Sequence, residues 1–328
     1  MANEERGRER DLVLAPNEYA YIQDQTKGLI STYVGPTKSS LSNTDQPVVF
    51  DEKTKKFVHC DLSKAIQLFA TAPEGWYIIL KNPTQGGEHP RSGTPSQMPE
   101  MLVGHKVNVS GPISFPLWPG QMARVVQGHR LRSNEYVVAR VYDEEAARTN
   151  EVDKLVSLQE KPAVTKPIEG QGAKSIDLTV GRLFIIKGID VSFFIPPTGV
   201  EVVKDVTNSG NYVRDAVTLQ RLEYCILLDE SGNKSYMPGP DVVFPTPTQN
   251  FMKNTDKDGN PTFKFNAIEL NDNSGIYVKV IKAYVENEVE HPVGEELFIT
   301  GKETKIYYPR QEHALIMYNN CQGKQDVH

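Results

Sequence analysis

The chain has 328 residues, with 36 Lys and Arg against 42 Asp and Glu and a formal net charge of −6. It contains no run of 18 apolar residues, so no membrane-spanning helix is expected. The charged opening MANEERGRER lacks the apolar stretch of a secretory leader. The acidic balance argues against a general nucleic-acid binder. Cys60, Cys225 and Cys321 supply neither a disulfide framework nor the spacing of a zinc knuckle.

The 24 Gly and 22 Pro do not form low-complexity tracts; they punctuate short apolar runs. Residues 1–15 read as a flexible arm. Runs rich in β-branched and aromatic residues, bounded by turn residues, then predict strands at 19–23, 29–34, 47–50, 75–80, 106–109, 122–127 and 136–142. The polar segment 82–99 interrupts this series as a mobile loop. Residues 161–174 have the composition of a linker. Beyond it, strands are predicted at 182–186, 190–195, 200–203, 222–229, 241–244, 276–285, 297–300, 304–308 and 314–318. Helical patterning is scarce: two turns over 63–69 with Asp61 as N-cap, one turn over 144–149, and a short helix over 215–222. Asp229–Asn233 and Asp256–Asn260 read as hairpin turns in which Gly supplies positive φ.

The expected fold is therefore all-β: tandem small antiparallel sheet modules, elongated. N-terminal modules occupy 16–160, a middle module 175–250 and a C-terminal module 251–328. One punctuation recurs, a strand followed by a Gly-Pro or Pro-Gly corner, then an aromatic or Ile followed by Pro. Its copies are Gly35-Pro36, Pro116 with Pro119-Gly120, Pro196-Pro197, Gly239-Pro240 with Pro245, and Pro309, at unequal intervals. The segments 224–245 and 283–309 share the longest common plan. A small sheet cannot bury its apolar face alone and must stack on a neighbour, and Pro at a strand end stops the ladder and turns the chain.

At these residues the chain resembles the major vault protein family. Residues 16–50 (PNEYAYIQDQTKGLISTYVGPTKSSLSNTDQPVVF) are similar to the family's opening, with its Val-Gly-Pro corner. Residues 72–84 (APEGWYIILKNPT) and 106–144, with the core Phe-Pro-Leu-Trp-Pro-Gly, resemble the units that follow. Residues 194–203 (FIPPTGVEVV) and 294–312 (GEELFITGKETKIYYPRQE) are similar to the family's Gly-Glu-Glu strand and its Pro-Arg-x-Glu closure. Residues 196–199 read Pro-Pro-Thr-Gly instead of that closure, and no counterpart of the shoulder domain or cap helix is found up to residue 328. The resemblance implies an assembling structural protein whose flanks pack chain against chain. It points to a ring, collar or shell-like particle, not a closed vault.

The remaining chemistry is sparse. The seven His include no His-x-His or His-x-x-x-His pair, and His59-Cys60-Asp61 alternates across a strand, so no metal site is expected. Cys225, inside YCILL, reads as a buried small hydrophobe and not a nucleophile. No Gly-x-Ser-x-Gly elbow or phosphate-binding loop is present. Asp256-x-Asp258-Gly259 departs from a calcium loop in its Gly position and its lack of a closing Glu, leaving a hairpin with a weak surface cation site as the alternative. Five Glu lie within 286–296; paired carboxylates serve glycoside chemistry, but charged turns are usually solvated. Trp118 is a candidate interface aromatic or a plug between modules, and Tyr308 and Arg310 are further interface candidates. The reading is thus of a non-enzymatic protein without cofactor, acting in the cytoplasm or in a virion. It would partner protein, as a homo-oligomer or part of a larger particle, without membrane or direct nucleic-acid binding. The alternatives are a monomeric adaptor and a carbohydrate-active β-sandwich enzyme.

Overall fold

The computed structural model describes residues 11–93, 98–150, 178–205, 210–256, 258–286, 288–316, 318–319 and 325–326. Residues 1–10 of the arm expected at 1–15, and the linker expected at 161–174, lie outside them. The described residues form many small antiparallel sheets with two short helices, an all-β architecture. No helix among them is long and apolar enough to cross a membrane. Two compact units are present: one comprises residues 1–130, 139–182 and 193–202, the other residues 131–138, 183–192 and 203–328.

One plan recurs five times among the described residues. Each copy opens with a four-residue turn, at 15–18, 73–76, 132–135, 220–223 and 271–274. In each, the fourth amide donates to the first carbonyl, at 2.9–3.2 Å. In four copies the fourth side chain also accepts from the first amide: Glu18 from Ala15 (2.8 Å), Glu135 from Arg132 (2.8 Å), Glu223 from Gln220 (2.7 Å) and Ser274 from Asn271 (2.8 Å). This closes the turn with the reciprocal logic of a capping box.

A sheet follows. In the first copy Glu18–Asp24 pairs with Leu29–Val34 and with Asp45–Asp51. In the second, Trp76–Lys81 lies between Lys106–Ser110 and Met122–Gln127. In the fourth, Glu223–Leu228 pairs with Lys234–Pro238 and with Asn250–Phe251. In the fifth, Gly275–Val280 lies between Glu296–Thr300 and His313–Leu315. A second, short strand pair covers the inner face: 11–14 with 37–40, 70–72 with 113–115, 129–130 with 193–194, 217–219 with 241–243, and 268–269 with 306–307. The cores follow this geometry. Leu12, Leu14, Ala20 and Ile22 pack together in the first copy, Ala72, Ile78, Leu80 and Phe115 in the second, and Val217, Leu219, Cys225, Leu227 and Val243 in the fourth.

Several expectations need correction. Asp11–Leu14, placed in the arm by composition, is a strand held to Thr37–Ser40, with Leu12 and Leu14 buried. The loop at 82–99 is tied down over its described part: Thr84 bridges to Met101, Pro90 is buried, and the His89 ring stacks on Phe115 at 3.9 Å. The helix expected at 215–222 is two strands, Val213–Asp215 and Val217–Leu219. Val217 and Leu219 are buried about an exposed Thr218, a period of two. The two turns expected at 63–69 shorten to Leu62–Ala65, because Ile66–Leu68 joins the first sheet beside residues 18–20. Asp61 sits at the N-cap without a side-chain cap bond. The single turn at Glu144–Thr149 forms as expected, capped by Asp143 Oδ1 accepting from the Ala146 amide at 3.0 Å. The run 276–285 breaks at 281–283 into two strands, Gly275–Val280 and Tyr284–Glu286.

Candidate functional site

The recurring corners are the feature by which the sequence suggested function, and the structure resolves them into two kinds. The first holds Gly35, Gly111, Gly188, Gly239 and Gly301. Each amide donates to the carbonyl of the turn's fourth residue at 2.8–2.9 Å. A Cβ there would lie 1.7–2.3 Å from the carbonyl oxygen of the turn's first residue: Ala15, Pro73, Arg132, Gln220 or Asn271. Only glycine admits that approach. Pro36, Pro112 and Pro240 follow three of these glycines through cis bonds, and all three are exposed.

The second corner holds Pro116 with Pro119 and Gly120, then Pro196 and Pro197, then Pro245, then Pro309. Here Pro116, Pro196 and Pro245 are buried. A tight turn recurs, with the Gln121, Val200, Gln249 and His313 amides donating to the carbonyls of Trp118, Pro197, Thr246 and Arg310 at 3.0–3.2 Å. The first copy has the same turn from Asp45 to Ser42 (3.2 Å) without a proline. The sequence punctuation therefore joined two different positions of the repeat, with Pro36 in the first corner and Pro116, Pro196, Pro245 and Pro309 in the second, and the spacing stays unequal within each kind. The match of 224–245 to 283–309 is likewise displaced at its start. Glu223–Leu228 corresponds to Gly275–Val280, and Tyr284–Glu286 belongs to an inserted hairpin with Val289–His291.

The second corner of each copy docks on the copy before it. Tyr21 donates its hydroxyl to the carbonyls of Leu117 (3.0 Å) and Trp118 (3.1 Å), and Leu117 packs among Tyr19, Tyr21, Val34 and Val48. Asn108 Nδ2 donates to the carbonyls of Pro196, Pro197 and Val200 at 3.0–3.2 Å, and its amide to Thr198 Oγ1 at 3.0 Å. Phe244 meets Tyr136 edge-on at 6.1 Å and joins the cluster of Tyr136, Val138 and Ile185. Tyr308 donates to the Gly239 carbonyl at 3.2 Å. All three candidate interface residues are therefore engaged within the chain. Trp118 is only 4% exposed, with its indole N–H donating to the Glu88 carbonyl at 2.8 Å, and Tyr308 joins the fourth and fifth copies.

Arg310 belongs to a polar cluster in the fifth copy. Its Nη1 and Nη2 clamp both oxygens of Glu286, at 3.0 and 3.1 Å, and its guanidinium lies 5.5 Å from the Tyr284 ring centre. The Arg310 hydrogen bonds hold the Glu286 carboxyl below its ordinary range. His313 sits between two phenols, with Nδ1 3.1 Å from Tyr307 Oη and Nε2 2.8 Å from Tyr284 Oη. Burial, then the nearby Arg310 charge, lower its pKa. His291 Nδ1 pairs with Glu295 at 2.9 Å and its ring stacks on Tyr284. Sequence reasoning found Glu286 and Arg310 separately but not their pairing, which needs the inserted hairpin to fold back.

The other candidates are placed plainly. Cys225 is fully buried, and burial pushes its thiol up to about 11, as a small hydrophobe requires. Cys60 packs against the first core, and burial raises its pKa too. Asp229–Asn233 and Asp256–Asn260 close as hairpin turns, with Gly232 and Gly259 at φ of +83° and +85°. Among the described residues, no group of three His, Cys, Asp or Glu is placed to hold a metal ion. Sequence reasoning missed the first-corner glycines at 111, 188 and 301. The recurring signal was Asn-Glu-Tyr at 17–19 and 134–136 and Leu-Glu-Tyr at 222–224, which marks the turn those glycines press against. No protein-family model matches the chain, and no curated protein matches it.

Proposed function

We propose that this is a non-enzymatic structural protein of the vault-repeat kind, which assembles through lateral packing of its β-repeats into a ring, collar or shell-like particle. The observation that carries the reading is the docking of each second corner on the preceding copy at all four junctions. Stacked repeats present the same flank again and again, and each small sheet leaves outer strands whose backbone groups can meet another chain. Supporting it, Lys56–His59, Met122–Gln127 and Glu296–Thr300 are outermost in their sheets. Each carries an exposed apolar residue: Val58 at 50%, Val125 at 39% and Phe298 at 49%. The vault-like order of corner motifs points the same way. A cytoplasmic particle or a virion component is the setting this reading implies.

Size-exclusion chromatography with light scattering tests the proposal, comparing the full chain with a Val58→Lys, Val125→Lys, Phe298→Lys triple variant shown by circular dichroism to be folded. The expected result is a wild-type mass that is a multiple of 36.7 kDa and a variant that falls to a single chain. A wild type of single-chain mass, or a variant that keeps the multimer, contradicts it.

A further inference from the structure

The inserted hairpin of the fifth copy, Tyr284–Glu286 with Val289–His291, pairs with no other strand among the described residues. A two-stranded hairpin is marginal in water by itself, so what ties it to the repeat decides whether it stays docked. Those ties are not apolar. Val285 and Val289 are 69% and 56% exposed, and no residue of the hairpin joins the core cluster of Leu270, Ile276, Val278 and Tyr307. The side-chain ties are polar: the Arg310 clamp on Glu286, the Tyr284 hydroxyl 2.8 Å from His313 Nε2, and His291 Nδ1 2.9 Å from Glu295.

Mild acid weakens one of these ties. A neutral imidazole has one N–H and one bare nitrogen, and His313 sits between two phenols, Tyr307 at Nδ1 and Tyr284 at Nε2. One phenol accepts, the other donates, and the chain of bonds is complete. Imidazolium has two N–H groups and no acceptor, so whichever tautomer the neutral ring holds, one phenol loses its acceptor. The charged and titratable groups facing His313 are Tyr284, Glu286 and His291 from the hairpin, and Tyr307, Arg310 and Glu312 from its own segment. Glu286 and Glu312 favour the cation. Burial, then Arg310 and His291, oppose it, and the balance lowers the pKa from 6.5. The other two ties hold in acid. Arg310 keeps the Glu286 carboxyl below its ordinary range and so ionised, and a proton on His291 adds charge attraction to Glu295. An undocked His313 has the ordinary pKa and takes up a proton first as pH falls. Its contribution to docking is therefore fully present above pH 6.5 and is lost as pH falls below that value.

We infer that His313 is an acid-sensitive latch, which holds the inserted hairpin against the fifth copy when neutral and releases it when protonated. The inference is independent of assembly. The test measures hydrogen exchange of the full chain at about pH 7.5 and about pH 5, expressed as protection factors so that the intrinsic pH dependence of exchange cancels. Protection over Tyr284–Glu286 and Val289–His291 is expected to fall about threefold or more at the lower pH. His313→Gln keeps a donor and an acceptor but takes no proton, so its protection there should be the same at both pH values. His291→Gln should leave the fall in place. A second measurement follows the His313 ring by NMR. Its titration midpoint should lie below 6.5 in the wild type and rise towards that value in Tyr284→Ala, where the hairpin is no longer held to it. Wild-type protection that does not fall, a fall that persists in His313→Gln or vanishes in His291→Gln, or a His313 midpoint that Tyr284→Ala leaves unmoved overturns the inference.

Discussion

Replacing Gly111 by Ala probes the first corner directly. The new Cβ would lie 2.3 Å from the Pro73 carbonyl oxygen, 2.6 Å from that of Ala72 and 3.0 Å from that of Trp76. All three are backbone atoms, so no side-chain rotation relieves the contact and the corner itself must move. Moving it breaks the Gly111 amide bond to the Trp76 carbonyl, 2.8 Å in the native corner. Overpacking costs ~1–3 kcal/mol and a lost backbone hydrogen bond ~1 kcal/mol. The reduced freedom of the unfolded chain returns ~0.4–1 kcal/mol. The net loss expected is about 2–3 kcal/mol. Gly86→Ala is the matched control, because its Cβ would meet nothing nearer than the Glu88 side chain at 3.5 Å, and a change within ~0.5 kcal/mol is expected. Trp76 and Trp118 lie in the same compact unit as both positions, so tryptophan fluorescence under urea reports the affected region. The Gly111 variant should lower the midpoint by about 1 M or more at unchanged slope. A midpoint equal to that of the Gly86 variant would refute the close approach, and with it the equivalence of the five corners.

Three further outcomes are expected. Asn108→Ala leaves the carbonyls of Pro196, Pro197 and Val200 without their shared donor and should cost ~1–3 kcal/mol in the same urea assay, whereas a surface Asn→Ala change should not. His129 is buried, and that burial pushes its pKa down to about 4 from 6.5. The unfolded chain therefore takes up a proton before the folded one does as pH falls. The contribution is fully present above pH 6.5 and is lost progressively towards pH 4, by about 3 kcal/mol at ~1.4 kcal/mol per unit. His129→Leu should flatten the stability profile across that window, and an unchanged profile would count against the buried neutral imidazole. Arg310→Gln removes the clamp on Glu286, whose partners are 40% and 46% exposed. The global cost should stay within ~1 kcal/mol, while hydrogen exchange over residues 284–291 quickens.

The long strands were legible because their apolar runs are bounded by turn residues. Leu29–Val34 and Met122–Gln127 form with the expected ends. The short covering strands were not. Thr37–Ser40 is entirely polar apart from its backbone role, and 268–269 is only two residues long, so neither carries a period that a sequence window can register. Their pairing depends on the glycine corner folding them over the sheet, a long-range contact. The same holds for function. Pro116, Pro196 and Pro245 announced the junctions, and their burial fits that role. Trp118 and Tyr308 could not be assigned to an inner or outer surface from composition, since the partner carbonyls at Glu88 and Gly239 are 30 and 69 residues away. The Glu286–Arg310 clamp spans 24 residues and was hidden for the same reason.

Assembly is the central claim, and negative-stain microscopy of the purified full chain at micromolar concentration tests it most directly. The account predicts discrete particles in which chains lie side by side with a regular stoichiometry. A field of single chains with no such particles would contradict it.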